Sequence, residues 1–142
     1  MLPSSPLARA GVLLALPLLA LGASACGNTV STSGYSGETR EVAQTISNFQ
    51  ADATAGEQKK VCSRDLAAAV LARLGGTSGC EAAIKNQLTE VDNLELSVQS
   101  IALRAGASTA TAQVKGTYAG KKRTSALALL KEGGKWKISG LP

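Results

Sequence analysis

The chain has 142 residues, three cysteines, no histidine and a formal net charge of +5. Without histidine it lacks the side chain best suited to proton transfer near neutral pH and the usual partner of a serine or cysteine nucleophile. It also lacks a glycine-rich phosphate loop and any run of bases interleaved with aromatic residues, which argues against nucleotide and nucleic-acid binding. Aromatic residues make up only 3% of the chain, so the core must be built from aliphatic side chains.

The first 25 residues have the organisation of an export signal. Arg9 gives a basic start, an apolar stretch follows, and small residues precede Cys26. The apolar stretch is shorter than the ~20 residues that span a membrane as a helix, and Pro17 interrupts it. We therefore expect residues 1–25 to be a signal peptide.

The residues around the expected cut allow two products. Ala23-Ser24-Ala25 suits ordinary signal peptidase. The same residues followed by Cys26 resemble a bacterial lipobox, in which the thiol is acylated and becomes the mature N-terminus. The odd cysteine count favours the lipobox, because lipidation of Cys26 leaves Cys62 and Cys80 to pair. We expect an exported protein anchored by lipid to the outer face of the cell membrane; plain secretion and an uncleaved anchor are the alternatives.

The stretch after the cut differs in composition from the rest of the mature chain. Residues 26–37 are polar and rich in glycine and serine, which predicts a flexible tether with Tyr35 in solvent. The remaining residues, 38–142, are enough for one folded domain and not for two.

Apolar residues at helical spacing predict three helical regions in the first half of the domain. These regions are Glu38–Ala55, Glu57–Leu74 and a third that begins at Ser78. The second region is predicted in two pieces, with Ser63 and Asp65 capping the second piece. The third begins with the spacing of a capping box.

The apolar pattern changes to a period of two after residue 93, which predicts four strands. Their ranges are Leu94–Leu103, Thr109–Tyr118, Arg123–Lys131 and Lys135–Leu141. The alternation slips at Ser100, which predicts a bulge. The third strand is apolar on both faces, so we expect it to be central or well covered. The predicted class is α+β, with three N-terminal helices packed on a curved antiparallel sheet of about four strands.

Three features of this pattern resemble a known family. They are the order of helices before strands, the Cys62…Gly79-Cys80 pair, and the ending Gly133-Gly134-Lys135-Trp136-Lys137-Ile138. Together they are similar to NTF2-like (SnoaL-like) lipoproteins of actinobacteria, over roughly Glu38 to Leu141. The resemblance implies a cone-shaped fold with a cavity between sheet and helices. It implies no single activity, because the fold hosts enzymes, binding modules and domains of other roles.

Cys62 and Cys80 have a structural and a functional interpretation. The structural one is a disulfide formed after export, which would join two helices. The functional one is a reactive or metal-binding pair. Two thiols in a chain without histidine or a C-x-x-C motif make a poor metal or redox site. We therefore predict a disulfide, no metal and no cofactor.

The expected function is a non-enzymatic ligand-binding or protein-interaction module at the cell envelope. Phe49, Tyr118 and Trp136 are candidates to line an apolar pocket for a small hydrophobic ligand, with an envelope protein as the other type of partner. The same three residues could instead fill the core. The sequence leaves the oligomeric state open.

Two alternative functions belong to other classes. A cone-pocket enzyme of isomerase or dehydratase type would use an Asp52, Asp65 or Asp92 carboxylate as base with Tyr118 as donor. A structural envelope protein would bind anionic lipid or wall polymer through a basic C-terminal sheet. The bases of that sheet are Lys115, Lys121, Lys122, Arg123, Lys131, Lys135 and Lys137. Alternatively, these bases are solvated side chains that keep strand edges from pairing with other chains.

Overall fold

The computed structural model describes residues 30–89, 94–104, 106, 108–118 and 120–140, without the side chain of Tyr118. The helical elements are α1 (Gly37–Thr54), α2 (Gln58–Lys60), a π-helical turn (Val61–Asp65), α3 (Ala68–Arg73) and α4 (Gly76–Thr89). The strands are β1 (Glu95–Leu103), β2 (Thr109–Tyr118), β3 (Lys121–Glu132) and β4 (Lys135–Gly140). Among these elements, no helix is long and apolar enough to cross a membrane.

The strands form one antiparallel sheet in the order β1-β2-β3-β4. This order, behind a helical first half, confirms the predicted α+β class and the four strands. The register of β1 on β2 shifts between Val98 and Ser100, which confirms the predicted bulge. A second shift, between Ala128 and Leu129, was not predicted. Bulges of this kind increase the local twist and bend the strand.

Helix α1 crosses the inner face of the sheet from β4 to β1. Near its start, the Glu38 carboxylate accepts a hydrogen bond from Trp136 Nε1 on β4 at 2.7 Å. Further along, Gln50 Oε1 accepts one from the Leu96 amide on β1 at 3.1 Å. The helix is therefore tied by side chains to both outer strands of the sheet.

The space between α1 and the sheet is filled by aliphatic side chains. The largest fully buried apolar side chains there and in the neighbouring turn are Ile46, Leu66, Leu129, Ile138, Val42 and Val61. Since burial of each such side chain contributes about 1.5–3 kcal/mol, this packing is the main stabilising contribution in a domain with few aromatic residues.

The outer edge of β4 is covered by the segment between the π-helical turn and α3. Leu66 forms a parallel bridge with Ile138, and the Ala67 amide donates to the Ile138 carbonyl at 2.8 Å. The Glu132 carboxylate accepts from the amide of Ala68, the first residue of α3, at 3.1 Å. Backbone groups that would otherwise be exposed at an open sheet edge are thus satisfied.

The three predicted helical regions are present: α1, the stretch from α2 through the π-helical turn to α3, and α4. The second is divided into three pieces, where two were predicted. Two predictions about helix termini are wrong. Asp65 is buried and does not cap α3, because Glu132 takes that role. Helix α4 begins at Gly76, before Ser78. Strand β3 is central, as predicted, and its outer face, which carries Ala126 and Ala128, is exposed.

The predicted tether is wrong for two of its residues. Val30 is 4% exposed and belongs to the apolar core. The Tyr35 hydroxyl donates to the Val98 carbonyl on β1 at 3.3 Å, so this tyrosine is not a solvated linker residue. Val30 and Tyr35 therefore contact the folded domain, which was predicted to begin at residue 38. Cys26 lies outside the described residues.

Cys62 in the π-helical turn and Cys80 in α4 lie at disulfide distance, with their Cα atoms 6.0 Å apart and both side chains fully buried. A bond between them closes a loop with a sequence separation of 18 residues. This bond joins the π-helical turn, which carries Asp65, to helix α4.

Replacing both cysteines, Cys62→Ala with Cys80→Ala, should lower the free energy of unfolding by about 3 kcal/mol, because the open chain gains conformational entropy when unfolded. Urea unfolding followed by circular dichroism measures the change. Mass analysis without reductant should find the parent chain lighter by the two hydrogens lost on forming the bond. Two thiols that react with an alkylating reagent in the folded protein would contradict the pairing.

Candidate functional site

Two of the three residues proposed for the apolar pocket, Trp136 and Phe49, lie at separate places. Trp136 is 4% exposed, and its indole nitrogen is bound to Glu38 at the start of α1. Phe49 is partly buried against the core, eleven residues further along the same helix, or about 16 Å at 1.5 Å per residue. The side chain of Tyr118 lies outside the described part of the chain. Trp136 and Phe49 therefore belong to the core at separate places.

The indole N–H edge of Trp136 lies next to two charged side chains, Glu38 and Lys131. Lys131 Nζ donates to the second Glu38 carboxylate oxygen at 2.6 Å and lies 5.7 Å from the centre of the indole ring. Hydrogen bonds from Lys131 and Trp136 hold the pKa of Glu38 below its ordinary value. This arrangement satisfies the buried indole N–H and fixes the start of α1 on β4.

Two of the three candidate carboxylates do come together. Arg64 Nε donates to Asp65 Oδ1 at 3.2 Å, and the other side of the guanidinium is paired with Asp52 near the end of α1. Asp65 is 2% exposed, and its Oδ2 has no hydrogen-bond donor among the described residues. The Asp52 carboxyl is the second charged group beside Asp65. Asp92 lies outside the described residues.

The surroundings of Asp65 shift the pKa of its carboxyl upward. Burial raises the pKa of Asp65 to about 7; Arg64 opposes the shift, and the Asp52 carboxyl adds to it. Carboxyls with a perturbed pKa recur in catalytic sites, and they are also found in structural ion pairs. Which role applies depends on whether a substrate can reach them.

Asp65 and Tyr118 are attached at different ends of the sheet. Tyr118 lies opposite Lys121 at one end of β3. The segment that carries Asp65 docks on β4 at the level of Leu129, eight residues further along β3. Eight residues of an extended strand span about 26 Å at 3.3 Å per residue.

A surface cleft of about 410 Å³ lies at the end of the sheet where β1 and β2 pair. It is lined mainly by polar side chains of three strands and one residue of α1. The lining residues are Gln50, Glu95, Leu96, Ser97, Lys115, Gly116, Thr117 and Lys122. Neither Phe49 nor Trp136 is among them.

The register of the strands explains why the cleft is polar. Ser97 pairs with Lys115, and Thr117 pairs with Lys122, so these four side chains occupy neighbouring positions on the outer face of the sheet. Gly116 lies between them on the inner face, where an added Cβ would come within 3.1 Å of Leu96. The two ammonium groups and two hydroxyls suit a ligand with anionic or hydroxyl groups.

Sequence reasoning missed Arg64 entirely and missed the joint role of Lys115 and Lys122. The only local signal for Arg64 was its position beside an acidic residue in a stretch where helical periodicity is interrupted. The sequence shows that Lys115 and Lys122 are basic. That they are neighbours depends on the register of β2 on β3, which composition does not determine.

The Asp65 carboxyl should make the domain less stable as the pH rises from 5 to 8. Its pKa is raised on folding, so the folded state keeps a proton that the unfolded state releases, and this contribution is lost as the pH approaches 7. At about 1.4 kcal/mol per pH unit below the folded pKa, the loss between pH 5 and pH 8 is about 2–3 kcal/mol. Urea unfolding at several pH values measures this change in the free energy of unfolding. Because the chain has no histidine, no imidazole titrates in the same range.

Asp65→Asn should remove this pH dependence, because the amide keeps the shape and the donor of the protonated acid. Glu81→Gln, a change of a partly exposed carboxylate on α4, is the matched control and should leave the dependence intact. An unchanged slope in Asp65→Asn would show that this carboxyl is ionised throughout the range.

Comparisons with known proteins give matches among solved structures only. No family model matches the chain, and no curated protein matches it. A designed NTF2 protein is 14% identical with a TM-score of 0.46, over 70% of this chain and 93% of that chain. A Campylobacter jejuni protein described as an NTF2-like transpeptidase is 14% identical with a TM-score of 0.44, over 69% of this chain and 96% of that chain. These similarities concern the fold; the α+β assignment rests on the strand order and helix placement described above.

Proposed function

We propose that the chain is an exported protein, held at the outer face of the cell membrane by lipid on Cys26, with a non-enzymatic NTF2-like domain that binds a ligand or a protein. The leader, the small residues before Cys26 and the odd cysteine count support the anchor. The pairing of Cys62 with Cys80 at disulfide distance supports it further, since this leaves Cys26 as the remaining thiol.

The cleft at the end of β1 and β2 is the observation that supports a binding role. Aliphatic side chains occupy the interior, so a ligand would meet this domain at its surface. The lysines, threonine and serine of the cleft favour a polar ligand over the small hydrophobic one that Phe49, Tyr118 and Trp136 suggested.

The enzyme alternative has less support. Its candidate base would be Asp65, which is buried against Asp52 and Arg64 and lies far along the sheet from Tyr118. A buried carboxyl pair that holds two chain segments together is sufficient to explain this cluster. We propose that its role is structural.

The alternative of a structural protein that binds anionic lipid or wall polymer is favoured by one specific observation. Of the seven C-terminal bases, four lie exposed at or beside the β2–β3 turn, where the cleft is also found. These are Lys115, Lys121, Lys122 and Arg123. An anionic partner would suit this end of the sheet.

Cys26→Ala should release the protein from the membrane, because two acyl chains provide stable anchoring and a buried CH₂ contributes ~0.8 kcal/mol. Fractionation of cells followed by immunodetection measures the distribution. The double variant Cys62→Ala, Cys80→Ala is the matched control and should stay with the membrane. If the Cys26 variant also sediments with the membrane, the lipid anchor is wrong.

Filling the cleft should abolish ligand binding. Thr117→Trp places a large ring among the lining residues, and native mass spectrometry of protein purified from its own envelope should then lose any co-purifying mass seen with the parent chain. Gln113→Trp is the matched control, since it lies on the same face of β2, four residues or about 13 Å away. Equal retention of ligand by both variants would place the binding site elsewhere.

A further inference from the structure

Three residues, Leu66–Ala68, close the edge of β4 and are called the covering segment below. The Ala67 amide donates to the Ile138 carbonyl at 2.8 Å, and the Ala68 amide donates to the Glu132 carboxylate at 3.1 Å. The buried leucine of the segment favours this closed form. A segment of this length can open locally at a lower free energy than the whole domain needs to unfold.

The residue directly before the covering segment, Asp65, is buried with an incomplete set of partners. Its side chain is 2% exposed, Oδ1 accepts from Arg64 Nε at 3.2 Å, and Oδ2 has no donor among the described residues. The same guanidinium is paired with Asp52. One guanidinium therefore serves two carboxyls, and if both are ionised, one negative charge beside the segment is left without a partner.

The other charged groups around the π-helical turn do not supply that partner. From β4, Lys137 Nζ donates to two backbone carbonyls of the turn at 3.1 and 2.8 Å. The remaining charged residues on or beside α2 and on α4 are Glu57, Lys59, Lys60, Glu81 and Lys85. Within the described part of the chain, none of these side chains forms a hydrogen bond or an ion pair with Asp65, and Lys60 is itself paired with Glu57.

We propose that the covering segment is a proton-dependent latch: it stays closed on β4 while Asp65 carries a proton, and loss of that proton lets it open while the rest of the domain stays folded. The proton removes the excess negative charge from the closed form, whereas in the open form the carboxylate is solvated. Opening would expose backbone groups of β4 around Ile138, and exposed groups of this kind pair with strands of other chains. The latch requires neither the proposed lipid on Cys26 nor the cleft.

Amide hydrogen exchange of the full chain, with its disulfide intact, measures the opening of the latch. Burial raises the pKa of Asp65 to about 7, so the closed form holds a proton that the open form releases. After correction for the pH dependence of exchange in an unstructured peptide, the protection of the Ala67 amide should fall about fiftyfold between pH 5 and pH 7 and then level off. Constant protection over this range would overturn the latch.

Urea at low concentration separates the latch from unfolding of the whole domain. Local opening exposes little surface, so about 1 M urea should leave the protection of Ala67 unchanged. The amides of Ala110 and Ala112 lie on β2, between β1 and β3, and their protection should fall with urea because they exchange when the sheet unfolds. If Ala67 has the same urea dependence as these two amides, the segment opens only with the whole domain, and the latch is wrong.

Two substitutions test the role of the proton. Asp65→Asn should keep the protection of Ala67 constant from pH 5 to pH 7, because the amide does not ionise, and the control Glu81→Gln should keep the fiftyfold fall. Asp52→Asn leaves Arg64 to Asp65 alone, so the fall should move to lower pH. A fall that persists in Asp65→Asn, or that keeps its pH in Asp52→Asn, would contradict control by this carboxyl.

Discussion

The docking of residues 61–68 along the open edge of β4 is the contact on which the rest of the domain depends. It extends the hydrogen-bonding pattern of the sheet by one short parallel segment through Leu66 and Ala67. Two side chains of the strands bind the same segment. Lys137 donates hydrogen bonds to its carbonyls, and Glu132 accepts one from the Ala68 amide. Cys62 ties the segment to α4. The helical layer and the sheet are therefore joined through backbone bonds as well as through the apolar core.

Docking this segment on β4 costs free energy, because it buries the carboxyl of Asp65. A residue directly before an edge-pairing segment has little freedom to turn its side chain to solvent, and Asp65 is buried against Asp52. The half-exposed Arg64 bridges the two carboxyls and offsets part of the penalty. The backbone hydrogen bonds and the burial of Leu66 offset the remaining free-energy cost of burying Asp65, because the segment stays docked on β4. Asp65 and Asp52 thus lie directly beside the closed β4 edge.

Local periodicity was sufficient to predict α1, the four strands and the bulge at Ser100, because each of these repeats its pattern over many residues. It was insufficient at Val30, a single apolar residue in a polar stretch, whose burial depends on the distant core. The local sequence predicts Asp65 as a helix cap, because its position suits one. Its proximity to Asp52 depends on the packing of α1 against the π-helical turn, which the local sequence does not contain. The cleft likewise depends on which residues of β1, β2 and β3 are opposite one another, a long-range property of the sheet.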